Sequence, residues 1–268
     1  MKIQPTITQS VAVVALALSS SWVAAEDYVS FSNLGFSHAT ESDVDLTSIG
    51  TRYFFDKKST KGPLQEFDYL NTVSNVYAIY GQANVEGPNQ DTYSVGGEWF
   101  IGRFLVGASH TDNDVWESTS VDLGYLFAPN FLVKVELLDD DSERDFLMSA
   151  RYEHSLDNNR YIGFNVEVDD EMDTLTLSSK YFTPLQNGEY LTVFGEIYSS
   201  DVIDDSWFVG SEYYFNKHTS VGAKLGDEAI GINASHFFDN NLAVRGEIIS
   251  YDNDLIGESI SVEVAYQF

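Results

Sequence analysis

The histidines are the residues of this chain best suited to acid–base chemistry, and their spacing decides whether they could catalyse a reaction. His110 precedes Asp112 and Asp114, which could imitate the His/Asp pair of a surface hydrolase. The adjacent His154 and Ser155 cannot act together, because neighbouring side chains of a strand point to opposite faces. No histidine has metal-ligand spacing, and no P-loop, dinucleotide-binding glycine pattern or HExxH is present. We therefore expect no enzyme activity and interpret His110 as part of a solvated loop.

Two acidic runs raise the separate question of cation binding. Asp139 to Asp141 and Asp169 to Asp173 each place several carboxylates close together, and hard cations take several oxygen ligands. These runs could hold Ca²⁺ or bridge lipopolysaccharide through divalent cations. Neither has EF-hand spacing, and a hydrated acidic rim also accounts for them. The sequence leaves both interpretations open.

The composition excludes several classes of protein. Asp and Glu number 42 against 14 Lys and Arg, so the formal net charge is −28. Nucleic-acid binding needs a surplus of basic residues, which this chain lacks. The absence of cysteine excludes disulfides, iron–sulfur clusters and thiolate zinc sites. We expect neither a cofactor nor a nucleic-acid partner.

The first residues have the pattern of an export signal. Val11 to Leu18 is a short apolar run, and Val23-Ala24-Ala25 resembles an A-x-A cleavage site. The run is too short to cross a bilayer as a helix. The sequence therefore predicts a cleaved signal peptide over residues 1–25 and a single domain over residues 26–268.

Turn signals divide the domain into hairpins of two alternating kinds. Seven short turns carry mixed charge, and nearly all directly follow an aromatic residue; they lie at 56–58, 102–103, 128–130, 157–159, 183–188, 216–218 and 239–241. Eight other connections are acidic, at 40–43, 85–91, 111–115, 139–143, 169–173, 200–205, 227–228 and 252–254. The acidic set holds more than half of the acidic residues and a single base, Arg144. Such a consistent difference between two ends is typical of a protein that spans a membrane.

The segments between these turns alternate apolar residues with small or polar ones, as a closed barrel in lipid requires. One example is Phe131 to Leu137, in which Lys134 and Glu136 oppose Val133 and Val135. Many inward charges would be too costly in a dry core, so a water-filled lumen is expected. The predicted pore-lining residues are Arg52, Glu98, Lys134, Glu136, Arg151, Glu153, Glu167, Lys180, Glu196, Glu212, Lys224, Arg245, Glu247 and Glu263.

Counting the turns gives an all-β, antiparallel up-and-down transmembrane barrel of sixteen strands with short loops, with fourteen and eighteen as alternatives. Its last strand, SISVEVAYQF, is apolar at every second residue and includes Tyr266 and Phe268. This ending resembles the outer-membrane β-barrels of Gram-negative bacteria, and most of all the small porins of gammaproteobacteria. The resemblance implies that the barrel-assembly machinery recognises Tyr266 and Phe268. It also implies contact with lipid and lipopolysaccharide, and trimers are common among related porins.

One connection breaks the repeat. Residues 57–71 (KKSTKGPLQEFDYLN) are too long for a tight turn and place Leu64, Phe67 and Leu70 at helical spacing. They could form a short helix or loop at the mouth of the barrel, or they could fold inward and narrow the pore. The sequence does not choose between these alternatives.

These features favour a passive diffusion channel for ions and small hydrophilic solutes. Acidic rims concentrate cations and repel anions, so we expect a mild cation preference. The alternative is a structural or adhesion barrel with a blocked lumen, whose acidic loops bind cations or a partner. An outer-membrane hydrolase using His110 is a third hypothesis, supported by that histidine alone.

Overall fold

A computed structural model describes residues 27–84, 89–140, 144–157, 159–201, 205–252 and 257–268 of the chain. The predicted signal peptide, residues 1–25, lies outside the described residues. So do residues 85–88, 141–143, 202–204 and 253–256, which belong to four of the predicted acidic connections, and Asn158 of the predicted turn at 157–159.

Sixteen strands occupy almost all of the described residues. In chain order they are β1 (Asp27–Ala39), β2 (Val44–Ser59), β3 (Asn75–Asn84), β4 (Gln90–Ile101), β5 (Phe104–Asn113), β6 (Trp116–Ala128), β7 (Phe131–Asp140), β8 (Arg144–Ser155), β9 (Tyr161–Asp169), β10 (Thr174–Pro184), β11 (Tyr190–Ser200), β12 (Ser206–Tyr214), β13 (Thr219–Gly226), β14 (Ala229–Phe237), β15 (Leu242–Tyr251) and β16 (Glu258–Gln267). The only helical turn among the described residues is a 3₁₀ turn at Gln186–Gly188. No helix in this part of the chain is long and apolar enough to cross a membrane.

Each strand pairs antiparallel with its neighbours in the sequence, and β1 also pairs with β16. The closed sheet therefore has no free edge, which is the condition for burying strands in lipid. Phe268 completes the closure, because its carbonyl accepts hydrogen bonds from the Val29 and Ser30 amides at 2.9 and 3.0 Å. The predicted fold class and the count of sixteen strands are confirmed.

The two kinds of turn lie at opposite ends of the barrel, as a closed up-and-down sheet requires. The aromatic-edged turns join even-numbered strands to the next odd-numbered ones, and the acidic connections join odd to even. Several acidic connections are shorter than predicted because β-pairing continues into them. Thr111 to Asn113 lie in β5, Asp139 lies in β7 and Ser200 lies in β11. The acidic side chains thus begin on the strands and not only in the loops.

Alternation along each strand separates an apolar face from a polar one. Leu34 and Phe36 of β1 are exposed, as are Val262 and Val264 of β16, whereas Gly35 and Glu263 pair with each other on the other face. Large hydrophobic side chains are exposed in this way on most strands, which in water would be a liability and in lipid is the expected outer surface. The second face is the one that carries the charged residues.

Candidate pore and the segment inserted into it

The charged residues predicted to face inward share one face of the sheet. Residues paired directly across two strands lie on the same face, and the register can be followed from strand to strand around the barrel. It continues through the remaining pairs and closes at β1. This face holds Arg52, Glu98, Lys134, Glu136, Arg151, Glu153, Glu167, Lys180, Glu196, Glu212, Lys224, Arg245, Glu247 and Glu263.

The same face is contacted by the connection between β2 and β3, residues 60–74, which we call the inserted segment. Lys57 to Ser59, predicted to belong to this connection, are the last residues of β2. The helical spacing of Leu64, Phe67 and Leu70 was misleading, because the segment contains no helix. Its side chains reach β1 on one side and β10, β13 and β15 on the others, and the Tyr69 amide bonds to Glu153 of β8. Only a segment inside the barrel can contact strands all around the wall, so the inward alternative is the one the structure adopts.

Leucines near its two ends anchor the inserted segment. Leu64 is completely buried among Tyr28, Phe237 and Ala243, and Phe31 and Phe67 pack against this cluster. The Leu64 amide also donates a 2.8 Å hydrogen bond to the Lys217 carbonyl in the β12–β13 turn. Both contacts involve the end of the barrel that carries the aromatic-edged turns. Leu64 therefore fastens the segment to the wall that is formed by β14, β15 and β1.

Leu70 makes the matching contact on another part of the wall. It is buried with Leu105, Leu126 and Leu132, which come from β5, β6 and β7. Next to it, the ring of Tyr69 lies directly over Gly163, where a Cβ atom would overlap the ring. The two leucines thus hold the segment from different sides of the barrel, and a glycine in the wall makes room for the tyrosine.

Gln65 is held between four strands by its side-chain amide. Its Nε2 donates to Glu212 and, at 3.0 Å, to Ser220 Oγ. Its Oε1 accepts from the Ser235 hydroxyl at 3.1 Å and from Arg245 Nη2 at 3.2 Å. Both ends of a buried amide are therefore satisfied by the inner wall, which fixes the orientation of the side chain.

Glu66 is a fully buried carboxylate facing β9 and β10. Its Oε1 accepts hydrogen bonds from Tyr161 and, at 2.7 Å, from Lys180 Nζ. Its Oε2 has no hydrogen-bond partner among the described residues. Burial raises the pKa of Glu66, and the Lys180 ammonium and Tyr161 hydroxyl oppose that effect. The charge of Glu66 therefore depends on Lys180 for compensation.

Glu153 of β8 binds the backbone of the inserted segment. Its Oε2 accepts from the amides of Tyr69 and Leu70 at 2.7 and 3.4 Å. Lys61 lies 3.8 Å from the other Glu153 oxygen and also makes a 2.5 Å ion pair with Asp68. A segment without regular secondary structure thus obtains backbone hydrogen bonds from a wall carboxylate, which buried backbone amides require.

Several of the remaining inner charges form ion pairs within the wall. Lys134 bridges Asp122 and Glu136 at 2.7 and 2.8 Å, and Lys224 pairs with Glu247 at 2.8 Å. The other contacts of the predicted residues are weaker or neutral: Arg52 lies 4.8 Å from the centre of the Tyr77 ring, Glu98 accepts from Asn75 at 3.1 Å, and Glu263 accepts from Asn33 at 3.4 Å. Arg151 is exposed on this face.

Sequence reasoning missed the inward Asp122 and the roles of Gln65 and Glu66. A signal for Asp122 was available, because it stands between the apolar Val121 and Leu123 and so falls on the polar face. No local pattern identifies Gln65 or Glu66, because the partners of their side-chain hydrogen bonds are at least 95 positions away along the chain, the nearest being Tyr161 for Glu66. Only the closed fold brings these residues together.

The histidines considered for catalysis lie on the outer face or in a turn. His110 and Asp112 both point outward on β5, and His110 Nδ1 lies 2.9 Å from Thr119 Oγ1. The Asp114 carboxylate accepts from the Asp91 amide at 2.9 Å. Part of the first acidic run lies outside the described residues, and no group of three or more potential metal ligands converges in the residues that are described.

Comparison with solved structures finds the same fold in outer-membrane proteins. The Acinetobacter baumannii outer membrane protein Omp33 is 18% identical over 90% of this chain and 99% of that chain, with a TM-score of 0.59. A triple mutant of the Rhodopseudomonas blastica porin is 12% identical over the same shares, with a TM-score of 0.52. No curated protein matches the chain. The family model described as "Putative general bacterial porin" matches residues 1–268, and the chain therefore belongs to this family of bacterial outer-membrane porins.

Proposed function

We propose that this porin is a passive channel for ions and small hydrophilic solutes with a mild preference for cations. The observation that carries the proposal is the charged inner face: eight glutamates and six basic residues of the predicted set lie on it. Sixteen-stranded porin barrels are wide enough for an aqueous channel, whereas eight-stranded barrels are filled by side chains. The channel has no covalent chemistry and needs no cofactor.

Cation preference follows from the charge at the acidic end of the barrel. Its connections and strand ends contain a single base, Arg144, among many carboxylates. Such a mouth attracts cations and repels anions within roughly 8 Å at physiological ionic strength. Inside the barrel the basic residues moderate this effect, which is why the preference is mild and not absolute.

Arg151→Ala tests the placement of the inner charges. Arg151 is exposed on the inner face, whereas Arg245 also donates to Gln65, so a change at Arg245 would disturb the inserted segment as well. We expect Arg151→Ala to increase the cation-to-anion permeability ratio, measured as reversal potential across a salt gradient in planar bilayers. Arg103→Ala removes the same charge from an exposed turn and should change the ratio less. Equal reversal potentials for wild type and Arg151→Ala would contradict the proposed lining.

The inserted segment favours a second candidate, a structural or adhesion barrel whose lumen is blocked. Its acidic loops would then bind cations or a partner. Replacing residues 62–71 by a short turn distinguishes the two functions. If the folded variant conducts ions in discrete steps, the barrel is a channel that the segment restricts. If neither the variant nor the wild-type protein conducts, the blocked barrel is the better description.

We further propose that residues 1–25 are a cleaved signal peptide and that Tyr266 and Phe268 are read by the barrel-assembly machinery. Both aromatic side chains are exposed on the outer face, with ring centres 6.4 Å apart. Phe268→Ala should lower the amount of folded barrel in the outer membrane, measured by heat-modifiable mobility on gels. The surrounding lipid and lipopolysaccharide, and a homo-trimeric assembly, complete the proposed environment. Cross-linking in native membranes tests the trimer.

A further inference from the structure

The inserted segment has the properties of a gate. We propose that residues 60–74 close the channel and are held in the lumen by the Glu66–Lys180 ion pair, so that leaving Glu66 without its counter-charge releases the segment and opens the channel. This inference rests on the proposed channel function. We call the Glu66–Lys180 ion pair the latch.

The segment is separable from the barrel wall. All sixteen strands pair with their neighbours independently of it, and β1 closes onto β16. Between its ends, the segment's backbone-to-backbone bond to the wall is the one from the Leu64 amide to the Lys217 carbonyl. Its other polar contacts to the wall involve side chains, among them those of Gln65, Glu66 and Glu153. Leaving the lumen would therefore break no strand pairing.

The two partners of the latch differ in burial, and this difference decides which of them controls the gate. The Glu66 side chain is completely buried, whereas 30% of the Lys180 side chain is exposed. Lys180 could turn toward water in the lumen if Glu66 lost its charge. Glu66 cannot reach water without moving the segment, because an uncompensated buried charge is costly. Removing Lys180 should thus have a larger effect than neutralising Glu66.

No other group near Glu66 can replace Lys180. Tyr161 of β9 donates a neutral hydrogen bond. The nearby groups of β12 are Tyr214, also deeply buried, and the carboxylate of Glu212. Glu153 of β8 adds another negative charge, and Lys61 of the segment itself is occupied by Asp68 and Glu153. Arg245 of β15, which also lies near Tyr214, is engaged with Gln65 and Glu212. In the part of the chain that the structure describes, every ionisable neighbour except Lys180 is therefore neutral, negative or engaged elsewhere.

Lys180→Met is the primary test, with Lys224→Met as the matched control. Lys224 has nearly the same exposure, 29%, but it pairs with Glu247 within the wall. Both changes remove one positive charge from the inner face. We expect Lys180→Met to raise the open probability in planar bilayers on the order of tenfold or more, toward the conductance of the variant lacking residues 62–71. Lys224→Met should alter ion selectivity only.

The double variant Glu66→Gln/Lys180→Met tests whether the unpaired charge of Glu66 is what opens the channel in Lys180→Met. It removes both charges, so the segment should return to the lumen and the conductance should fall to the wild-type level. Glu66→Gln alone should stay closed. If Lys180→Met and the double variant conduct equally, the ion pair is not the latch. Conductance equal to wild type in Lys180→Met at neutral and alkaline pH would also overturn the inference.

Gly163→Ala provides an independent route to the same state if Lys180→Met folds poorly. The added methyl group would overlap the ring of Tyr69. At Gly81, on the same inner face, it would meet only the Thr47 carbonyl oxygen at 3.9 Å, an ordinary van der Waals contact. Gly163→Ala should increase conductance, and Gly81→Ala should not. Equal conductance of the two alanine variants would refute a displaceable segment. A segment-deleted barrel that fails to conduct would instead refute the channel function itself, so the two failures are distinguishable.

Discussion

Truncation of Leu64 measures how strongly the inserted segment is held. Leu64 is completely buried against Tyr28, Phe237 and Ala243. Leu64→Ala removes most of this contact and leaves the sixteen strands unchanged. Because the segment can leave the lumen without breaking a strand pair, we expect the loss to act on the docking equilibrium of the segment and not on the unfolding of the barrel.

The size of the effect follows from the burial of the side chain. Truncating a buried leucine to alanine typically costs about 2–5 kcal/mol. Each 1.4 kcal/mol corresponds to a factor of ten in an equilibrium constant. Even the lower value therefore predicts a rise of about 30-fold in the ratio of undocked to docked segment.

Limited trypsin digestion reports the undocked population directly. Lys61 lies inside the segment, where it pairs with Asp68 and approaches Glu153, so the bond after Lys61 can enter a protease only when the segment is out. When opening and closing are fast relative to cleavage, the cleavage rate follows the open population. We expect the rate of this cut, identified by mass spectrometry of the fragments, to rise about 30-fold in Leu64→Ala.

Leu138→Ala is the control, because Leu138 is a half-buried leucine of the inner face near the acidic end of β7. It should leave the rate of cleavage after Lys61 unchanged. A Leu64→Ala rate within a factor of about three of wild type would refute the anchoring role. Simultaneous cleavage throughout the barrel would show that docking and barrel folding are one process.

Three further predictions concern the segment and one turn. Burial raises the pKa of Glu66. In Lys180→Met the segment should therefore stay inserted at low pH, where Glu66 is neutral, and leave the lumen as the pH rises through that raised pKa. The bilayer conductance of Lys180→Met should increase with pH, whereas that of Glu66→Gln/Lys180→Met should not depend on pH. Gly62 has φ +150°, and a Cβ there would overlap the Tyr190 ring, so Gly62→Ala should accelerate cleavage after Lys61 as Leu64→Ala does. The backbone amides of Asn241 and Leu242 lower the pKa of Asp239. The stability that the Asp239 carboxylate contributes is therefore present above the ordinary aspartate pKa and lost as the pH falls through the lowered value. Asp239→Asn should reduce the acid sensitivity of unfolding in urea, and an unchanged pH profile would contradict this.

The strands and turns could be read from the sequence because their signals are local. A period of two residues places Lys134 and Glu136 on one face and Val133 and Val135 on the other, and no distant contact is needed to establish this. Gly102, at φ +64°, marks the tight turn between β4 and β5 in the same local way. The alternation of the two turn types then predicted about sixteen strands, with fourteen and eighteen as alternatives.

The position of the inserted segment could not be read in this way. Its spacing of Leu64, Phe67 and Leu70 imitates a helix. Leu64 and Phe67 pack in one cluster with β1, β14 and β15, whereas Leu70 contacts β5, β6 and β7, so the three do not meet one common surface. Gln65 is satisfied by strands that begin more than 140 residues later. Contacts at that distance exist only after the barrel has closed, so no local pattern encodes them.

The aromatic residues beside the turns link the local sequence pattern to the position of the inserted segment. In the pairs Phe54–Phe55, Tyr214–Phe215 and Phe237–Phe238 the first ring is buried inside, at 6%, 3% and 5% exposure, and the second is exposed outside, at 56%, 50% and 65%. The outer rings suit the membrane interface, and the inner rings form part of the surface around the segment: Phe237 contacts the Leu64 cluster, and Phe54 packs edge-on against Phe31, which in turn packs against Phe67. A doubled aromatic before a turn therefore supplies one ring to the lipid and one to the lumen. Where such doublets accompany a single long turn at the same end of a barrel, we expect that turn to fold inward.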